Sequence, residues 1–202
     1  GSENGQPLEL GIGMSTLLYV KNLLHDRYVA SVTPTSHFAV EKLCGKMDFS
    51  RDRLVAEYGP GTGVFTDAML NLMTPASRLV AIERNHDFCR VLEKKISDRR
   101  LAVFNQCAGC VIEILHTGSE SQADYVISGI PFSYLAPEKR KEILQATYRV
   151  LKKGGKFLAY QTFYQPSKFL KIPLEDIFPV VRTQLALLCI PPLLLFEAIK
   201  EG

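Results

Sequence analysis

Residues 55–65, VAEYGPGTGVF, place three glycines and one proline within five positions, directly after a short apolar run. The run at residues 53–58 predicts a buried strand, and the apolar spacing of residues 65–73 predicts a helix. Glycine permits unusual dihedrals and a close approach of the backbone to a ligand, and Pro60 stiffens the turn. The turn between strand and helix therefore predicts a ligand-binding loop. Its candidate binding residues are Gly59, Gly61 and Gly63.

Apolar strands alternate with helix-length amphipathic segments along most of the chain. This alternation predicts an α/β fold in which a mostly parallel, seven-stranded sheet carries helices on both faces. The last two strand-like runs fit an antiparallel pair at the sheet edge. The predicted strands are residues 53–58, 78–83, 102–106, 123–128, 155–162, 180–189 and 193–199. The predicted helices are a segment that Thr35 or Ser36 caps and Gly45 ends, then residues 65–73, 87–96, 110–116 and 137–151, with the turn KKGG after the last.

The chain has 202 residues and is 47% hydrophobic, which suffices for one sizeable core. Residues 1–13 have no apolar periodicity and begin with the Gly-Ser typical of a cleaved tag, so we expect residues 14–202 to form a single domain. Residues 15–29 predict an amphipathic helix, which either packs on the domain or rests on a membrane. The longest apolar run, residues 185–196, is too short to span a bilayer.

Charge and cysteine content narrow the classes of partner and compartment. The formal net charge of +3 permits an anionic partner, such as a phospholipid surface or RNA. The five cysteines are an odd number, and four of them lie within predicted helices and strands, which favours a reducing, cytoplasmic compartment. Cys107 and Cys110 form a CAGC that lacks a second ligand pair, so we expect no metal site.

Two acidic residues near the glycine turn indicate which kind of ligand it binds. Glu83 ends the second predicted strand, 20 residues after Gly63, where a carboxylate can accept hydrogen bonds from both hydroxyls of a ribose. Glu57 directly precedes the turn region; its charge repels phosphate but suits an ammonium group. The sequence therefore predicts a ligand that is nucleoside-like at one end and cationic at the other.

S-adenosylmethionine fits that description, and EYGPGTGVFT resembles motif I of the class I S-adenosylmethionine-dependent methyltransferases. Four further stretches look like the bacterial phospholipid N-methyltransferases, which are relatives of the ribosomal RNA adenine dimethyltransferases. The resemblance runs from about residue 28 to the end and implies a three-layer Rossmann-like methyltransferase fold. The four stretches are ASVTPTSHFAVEKL, IERNHDFCRVL, VISGIPFSYL and IPPLLLFEAIK.

The resemblance implies roles for individual residues in holding S-adenosylmethionine. At the position where the family has an Asp that accepts from the adenine amine, this chain has Cys107, and a thiol is a poor acceptor. Either Gln106 or a backbone group substitutes, or the affinity for the cofactor is lower. The implied cofactor-binding residues are Ser36, Glu57, Gly59, Gly61, Gly63, Glu83, Cys107, Ala108 and Ser128.

The fourth motif carries the implied acceptor site. Ser128 stands where the RNA adenine enzymes have Asn or Asp, so the motif resembles the lipid enzymes more closely. No strong base is needed to displace a sulfonium methyl, and His37 is only an outside candidate. Residues 163–178 predict a loop over the active edge, in which Lys168 and Lys171 either meet phosphate headgroups or an RNA backbone or are simply solvated. The implied catalytic residues are Ser128, Gly129, Phe132 and Tyr134.

The expected function is methyl transfer from S-adenosylmethionine to the amine headgroup of phosphatidylethanolamine, by an enzyme that associates peripherally with a membrane. Three alternatives stay open at this point. The first is a ribosomal RNA adenine N-methyltransferase, the second is a methyltransferase of small molecules, and the third is a cofactor-binding protein without catalysis.

Overall fold

A computed structural model describes residues 34–118, 121–189 and 191–201. Its centre is a seven-stranded sheet in the order β3-β2-β1-β4-β5-β7-β6. The strands are β1 (Leu54–Tyr58), β2 (Arg78–Ile82), β3 (Leu101–Phe104), β4 (Ala123–Ser128), β5 (Leu151–Thr162), β6 (Val180–Ala186) and β7 (Leu193–Ile199). The helices are α1 (Pro34–Cys44), α2 (Val64–Leu72), α3 (His86–Lys95), α4 (Val111–Thr117), α5 (Pro137–Val150) and α6 (Lys168–Glu175), with short 3-10 turns at Ala108–Cys110 and Phe132–Tyr134.

The five strands from β3 to β5 are parallel, as the alternation of strands and helices predicts. All residues of β1 and β4 are buried, because helices cover both faces of the sheet and leave no solvent-facing side. In the register, Tyr58 lies beside Ile82 on one side and Ser128 on the other. The ends of these central strands therefore meet at one edge, which we call the carboxyl edge.

The core divides into two clusters, one on each face of the sheet. Alternate residues of a strand point to opposite faces, so Ala56 and Tyr58 pack in one cluster with α4 and α5, while Val55 packs in the other with α1 and α2. Tyr58 is completely buried, and its hydroxyl lies 3.1 Å from Thr147 Oγ1. Since the Thr147 hydroxyl donates to the carbonyl of Ile143, the Tyr58 hydroxyl is the donor of this pair.

The antiparallel pair at the sheet edge is confirmed. β7 runs antiparallel both to β5 and to the outermost strand β6. Thr162 pairs with Leu193, and Leu193 pairs with Ala186. The turn between β6 and β7 therefore lies at the carboxyl edge, beside the end of β5.

Three local predictions differ from the structure. The KKGG segment is not a separate turn but part of β5, with a register irregularity opposite Ala123–Tyr125, and Gly154 adopts a φ of 74°. The segment at residues 163–178 contains helix α6, with Pro173 inside it. α1 begins at Pro34, so residues 35 and 36 lie within its first turn and do not cap it.

The predicted amphipathic helix at residues 15–29 lies outside the described residues. Within the described part of the chain, every helix is too short or too polar to cross a membrane.

Candidate active site

The glycine turn lies between β1 and α2, at the carboxyl edge. Gly59, Gly61 and Gly63 have φ angles of 65°, 55° and 80°, a region that side chains with a Cβ disfavour. The amide of Gly59 donates to the carbonyl of Ile82 (2.9 Å), and the amide of Gly63 donates to the carbonyl of Pro60 (3.0 Å). The turn is therefore a fixed left-handed loop, tied to the neighbouring strand.

Packing gives Gly63 a second reason to be glycine. A Cβ there would collide with Leu92 Cδ1 and would lie 3.2 Å from Ile96 Cδ1, both at the inner side of α3. Gly59 is also constrained, because a Cβ there would lie 3.3 Å from Ile130 Cγ1 in the turn after β4. The glycines thus let the loop, α3 and the turn after β4 approach one another.

Glu83 lies directly after β2 and is 8% exposed. Its Oε2 accepts a hydrogen bond from the amide of Gly61 (3.1 Å), and its Oε1 accepts one from the amide of Asn85 (2.9 Å). A carboxylate has about four acceptor positions, so further hydrogen bonds from ribose hydroxyls can be accommodated. Glu83 therefore fixes the glycine turn and keeps acceptor capacity for a ligand.

Glu57 lies in β1, on the face that packs against α1 and α2, and is nearly buried. Its Oε2 accepts a hydrogen bond from Thr66 Oγ1 (2.6 Å). Burial and the negative charge of Glu57 raise the pKa of the Cys44 thiol to about 12, so this cysteine is a neutral thiol. The carboxylate is thus fixed immediately before the glycine turn, where the predicted ligand is cationic.

The residues at this edge fit S-adenosylmethionine. Thr62 Oγ1, in the middle of the glycine turn, is buried and has no hydrogen-bond partner among the described residues. A buried hydroxyl without a partner is costly, and a polar ligand in the turn would supply one. Three features of the glycine turn therefore suit a polar small molecule: the positive φ angles of its glycines, the remaining acceptor positions of Glu83, and the unpartnered Thr62 hydroxyl.

The proposed adenine side of the site contains Cys107 and Ala108, at the 3-10 turn after β3. Cys107 is half-buried, and the pKa of Lys139 in α5 is raised first by its hydrogen bond to Glu142 and further by the neighbouring Cys107. Lys139 donates to Glu142 Oε1 (2.6 Å). A lysine therefore accompanies the thiol at the position where the resembling family has an acid.

The turn after β4 holds the predicted acceptor residues. Ser128 is buried, and its Oγ accepts a hydrogen bond from the amide of Ile130 (3.2 Å), which shapes the turn. The amide of Gly129 donates to the carbonyl of Tyr58 (2.9 Å), which ties this turn to the end of β1. The glycine turn and the predicted acceptor turn are thus held side by side.

The two aromatic residues of this turn have different surroundings. Phe132 is completely buried and packs edge-to-face on Phe157 in the core, with ring centroids 6.2 Å apart. A ring in that position supports the turn from the core side, and its role at the acceptor stays a prediction. Tyr134 is 66% exposed and is the aromatic side chain available at the surface. Ser36 lies in α1, but its side chain is outside the described part of the chain.

Sequence reasoning missed Gln161, near the end of β5. It is 4% exposed, its amide donates to the carbonyl of Gln165 (3.0 Å), and Gln165 Oε1 accepts from Ser133 Oγ (3.2 Å) in the turn after β4. The side-chain oxygen of Gln161 is buried without a hydrogen-bond partner among the described residues. Only the hydrogen-bond inventory of the folded chain reveals this free acceptor.

An aromatic pair, also missed, bridges the glycine turn and β5. Phe65, in the first turn of α2, stacks on Tyr160 with ring centroids 4.7 Å apart. Alternating polar and apolar residues give no signal for this contact, because it joins segments almost a hundred residues apart in the chain.

The chain is similar to known proteins in sequence and in fold. Residues 55–155, half of the chain, match the family model described as a methyltransferase domain. Ornithine lipid N-methyltransferase from Singulisphaera acidiphila is 29% identical over 151 residues, covering 70% of this chain and 78% of that protein.

Solved structures share the fold at low sequence identity. Precorrin-6y C5,15-methyltransferase from Geobacter metallireducens matches with a TM-score of 0.62 and 19% identity, over 80% of this chain and 88% of that one. A putative O-methyltransferase from Klebsiella pneumoniae matches with a TM-score of 0.64 and 12% identity, over 89% of each chain. A putative rRNA-methylase from Clostridium thermocellum gives 0.60 and 14%, over 85% and 99%.

Proposed function

Because this chain belongs to the methyltransferase domain family, as a class I S-adenosylmethionine-dependent methyltransferase, we propose that it methylates the primary amine of the phosphatidylethanolamine headgroup. The observation that carries this proposal is the 29% identity to an N-methyltransferase that acts on an ornithine lipid, which is also a lipid with an amine. Ser128, in place of the Asn or Asp of RNA adenine enzymes, supports a lipid acceptor. The ornithine lipid amine is the second candidate, favoured by the same relative.

One group of residues would bind the cofactor, and another would bind the acceptor. The glycine turn and Glu83 would hold the nucleoside part of the cofactor, and Glu57 would favour its ammonium group. When bound, S-adenosylmethionine would supply a methyl group activated by a positively charged sulfur, which would keep the electron pair of the C–S bond when an uncharged acceptor nitrogen takes the methyl group and gives up a proton to water. The protein mainly aligns the two reactants, since the leaving group is already activated.

Gln161 would orient the acceptor. An amine that attacks along the C–S axis must direct its N–H bonds elsewhere, and a neutral side-chain oxygen can accept one of them without stabilising the unreactive ammonium form as strongly as a carboxylate would. The unpartnered oxygen of Gln161 lies at the carboxyl edge, beside the turn that follows β4. Gln165 and Ser133 hold the two segments together.

The test is a transfer assay with S-adenosylmethionine labelled in its methyl group. Separate reactions contain vesicles with phosphatidylethanolamine, vesicles with ornithine lipid, and small-subunit ribosomal RNA, and Glu83→Gln serves as the variant impaired in the cofactor site. We expect label in phosphatidylethanolamine with the wild-type chain and much less with the variant. Label only in ornithine lipid would replace the acceptor by the second candidate, and label only in RNA would overturn a lipid acceptor altogether.

A further inference from the structure

Five large apolar or aromatic side chains are exposed at the carboxyl edge, and we call them the apolar rim. Their exposed fractions run from 52% to 71%, far above those of core residues. Soluble proteins expose single apolar residues routinely, but a group of them at one place indicates an interaction surface. The members of the apolar rim are Tyr134, Phe163, Tyr164, Leu187 and Leu188.

Hydrogen bonds hold the three segments of the apolar rim together. Phe163 directly follows β5, and its amide donates to the carbonyl of Pro192 (2.9 Å), just before β7. The turn that carries Leu187 and Leu188 is thereby fixed beside the end of β5. On the other side, the bond from Ser133 to Gln165 ties the Tyr134 turn to the same segment. The three segments therefore lie next to one another at the carboxyl edge, beside the turn that follows β4.

We propose that the apolar rim is a membrane-contacting surface, which docks this edge of the enzyme on a bilayer that contains anionic lipid. This inference rests on the proposed function, since a headgroup amine can reach the site while its acyl chains stay in the bilayer only if the carboxyl edge faces the membrane. Tyrosine and phenylalanine suit the headgroup boundary, and the two leucines enter the first part of the acyl region.

Charge next to the apolar rim favours a bilayer with anionic headgroups. Lys168 begins α6, which follows the Phe163–Tyr164 segment, and it is exposed and forms no ion pair within the described part of the chain. Its ammonium lies 5.5 Å from the centroid of the Phe169 ring. A lysine beside exposed aromatic residues adds electrostatic attraction to anionic lipid, in line with the net charge of +3.

The test compares two sets of exposed leucines in the full chain. The double variant Leu187→Glu/Leu188→Glu places two negative charges on the rim. Leu72→Glu is the control, to be compared with the single variant Leu188→Glu as well, because Leu72 is 52% exposed and ends α2, which runs away from the carboxyl edge. Binding is measured by co-sedimentation with vesicles of phosphatidylcholine and phosphatidylglycerol, without cofactor. We expect the double variant to lose roughly tenfold or more in vesicle binding and the control to match the wild type.

Equal vesicle binding by the double variant and the wild type would overturn the membrane surface. If that variant instead turns a wild-type dimer into a monomer in sedimentation velocity, the rim is covered by a second copy, and the membrane proposal fails. If it only accelerates amide exchange in residues 15–29, the N-terminal segment covers the rim, and the proposal also fails. Thermal unfolding of each variant confirms that the fold is retained.

Vesicle binding and methyl transfer are measured separately, so that failure of the membrane surface can be told apart from failure of the proposed acceptor. Methylation of phosphatidylethanolamine in detergent micelles, combined with unchanged vesicle binding of the double variant, would leave the proposed function standing and remove the membrane surface. Loss of vesicle binding in the double variant, combined with no transfer to any lipid, would keep the membrane surface and reject the proposed acceptor.

Discussion

Glu83 holds the middle glycine of the ligand-binding turn: its carboxylate accepts a hydrogen bond of 3.1 Å from the amide of Gly61, while the other oxygen binds the amide of Asn85. The residue predicted to bind the ribose thus also stabilises the loop against which the cofactor would rest. Loop geometry and ribose binding are therefore coupled through one side chain.

Glu83→Gln is expected to loosen the glycine turn even without cofactor. A glutamine offers one acceptor oxygen and one NH₂ group, so one of the two backbone amides would face another donor. Leaving that amide without a partner costs about 1–3 kcal/mol. The measurement is amide hydrogen exchange at Gly61 and Asn85. Faster exchange is expected there, and Glu93→Gln, an exposed change on α3, is expected to have no effect. Unchanged exchange at both amides would show that Glu83 does not hold the turn.

Gly63→Ala is expected to destabilise the fold more than Gly154→Ala. Both glycines have positive φ angles, 80° and 74°, so both alanines bear similar backbone strain, about 1–2 kcal/mol. Only at Gly63 would the added Cβ also collide with Leu92, whereas nothing lies within 4 Å at Gly154. Overpacking adds roughly 1–3 kcal/mol. Urea denaturation checks this difference, and equal losses of unfolding free energy in the two variants would contradict the packing role of Gly63.

The order of strands and helices was predictable because it depends on local apolar runs and their spacing. The closeness of Glu83 to the glycine turn could be predicted because the ends of parallel strands meet at one edge. Helix α6 was not predicted because it contains Pro173, and a proline usually argues against a helix. The helical spacing is present all the same, since its buried residues Leu170 and Leu174 are four positions apart. The KKGG segment continues β5 because the amide of Gly154 donates to the carbonyl of Lys200, a partner far along the chain.

The details of the site that were not predictable depend on contacts across the fold. The ring of Phe132 packs on Phe157 in the core, and no local pattern in the sequence predicts this contact. The free acceptor of Gln161 is defined by what surrounds it, and so is the orphaned hydroxyl of Thr62. The sequence predicts which residue types lie at the carboxyl edge. Which of their atoms lack a hydrogen-bond partner can be seen only in the packed structure.

Glu197 makes stability depend on pH. Its carboxylate is buried in β7, which disfavours its charge, but hydrogen bonds from Lys46 (3.0 Å) and Lys156 (3.1 Å) outweigh burial and hold its pKa below the ordinary value. The folded state therefore binds fewer protons than the unfolded state, whose glutamate has a pKa of about 4.3. The contribution of this group is fully present above that pH and is lost as pH falls through the folded pKa.

We therefore expect the unfolding free energy of the wild type to fall more steeply between about pH 6 and about pH 3 than that of Glu197→Gln. At neutral pH the variant should be destabilised by less than the roughly 3–5 kcal/mol of a fully buried pair, because both lysines are partly exposed. Urea titrations at several pH values measure both quantities. Identical pH slopes for the two proteins would show that Glu197 is not held ionised by the lysines.

Gln161→Met is expected to lower kcat/KM for phosphatidylethanolamine roughly 10- to 100-fold, since it removes one hydrogen bond to an amine that becomes charged in the reaction. Gln161→Asn keeps a side-chain amide, with its acceptor oxygen and its donor, and should retain more activity. Both variants should bind S-adenosylmethionine with a Kd within about twofold of the wild type, because the residue lies on the acceptor side. If both variants lose kcat/KM equally and also bind the cofactor more weakly, Gln161 has a structural role and does not bind the acceptor.

Calorimetric titration of S-adenosylmethionine into the full chain tests most directly whether the glycine turn and Glu83 hold this cofactor. We predict a saturable heat with one site per chain for the wild type, and a Kd at least roughly tenfold higher for Glu83→Gln, in which ribose hydroxyls meet an amide in place of a carboxylate. A wild-type chain that gives no saturable heat, or a variant that binds as tightly as the wild type, would contradict this account.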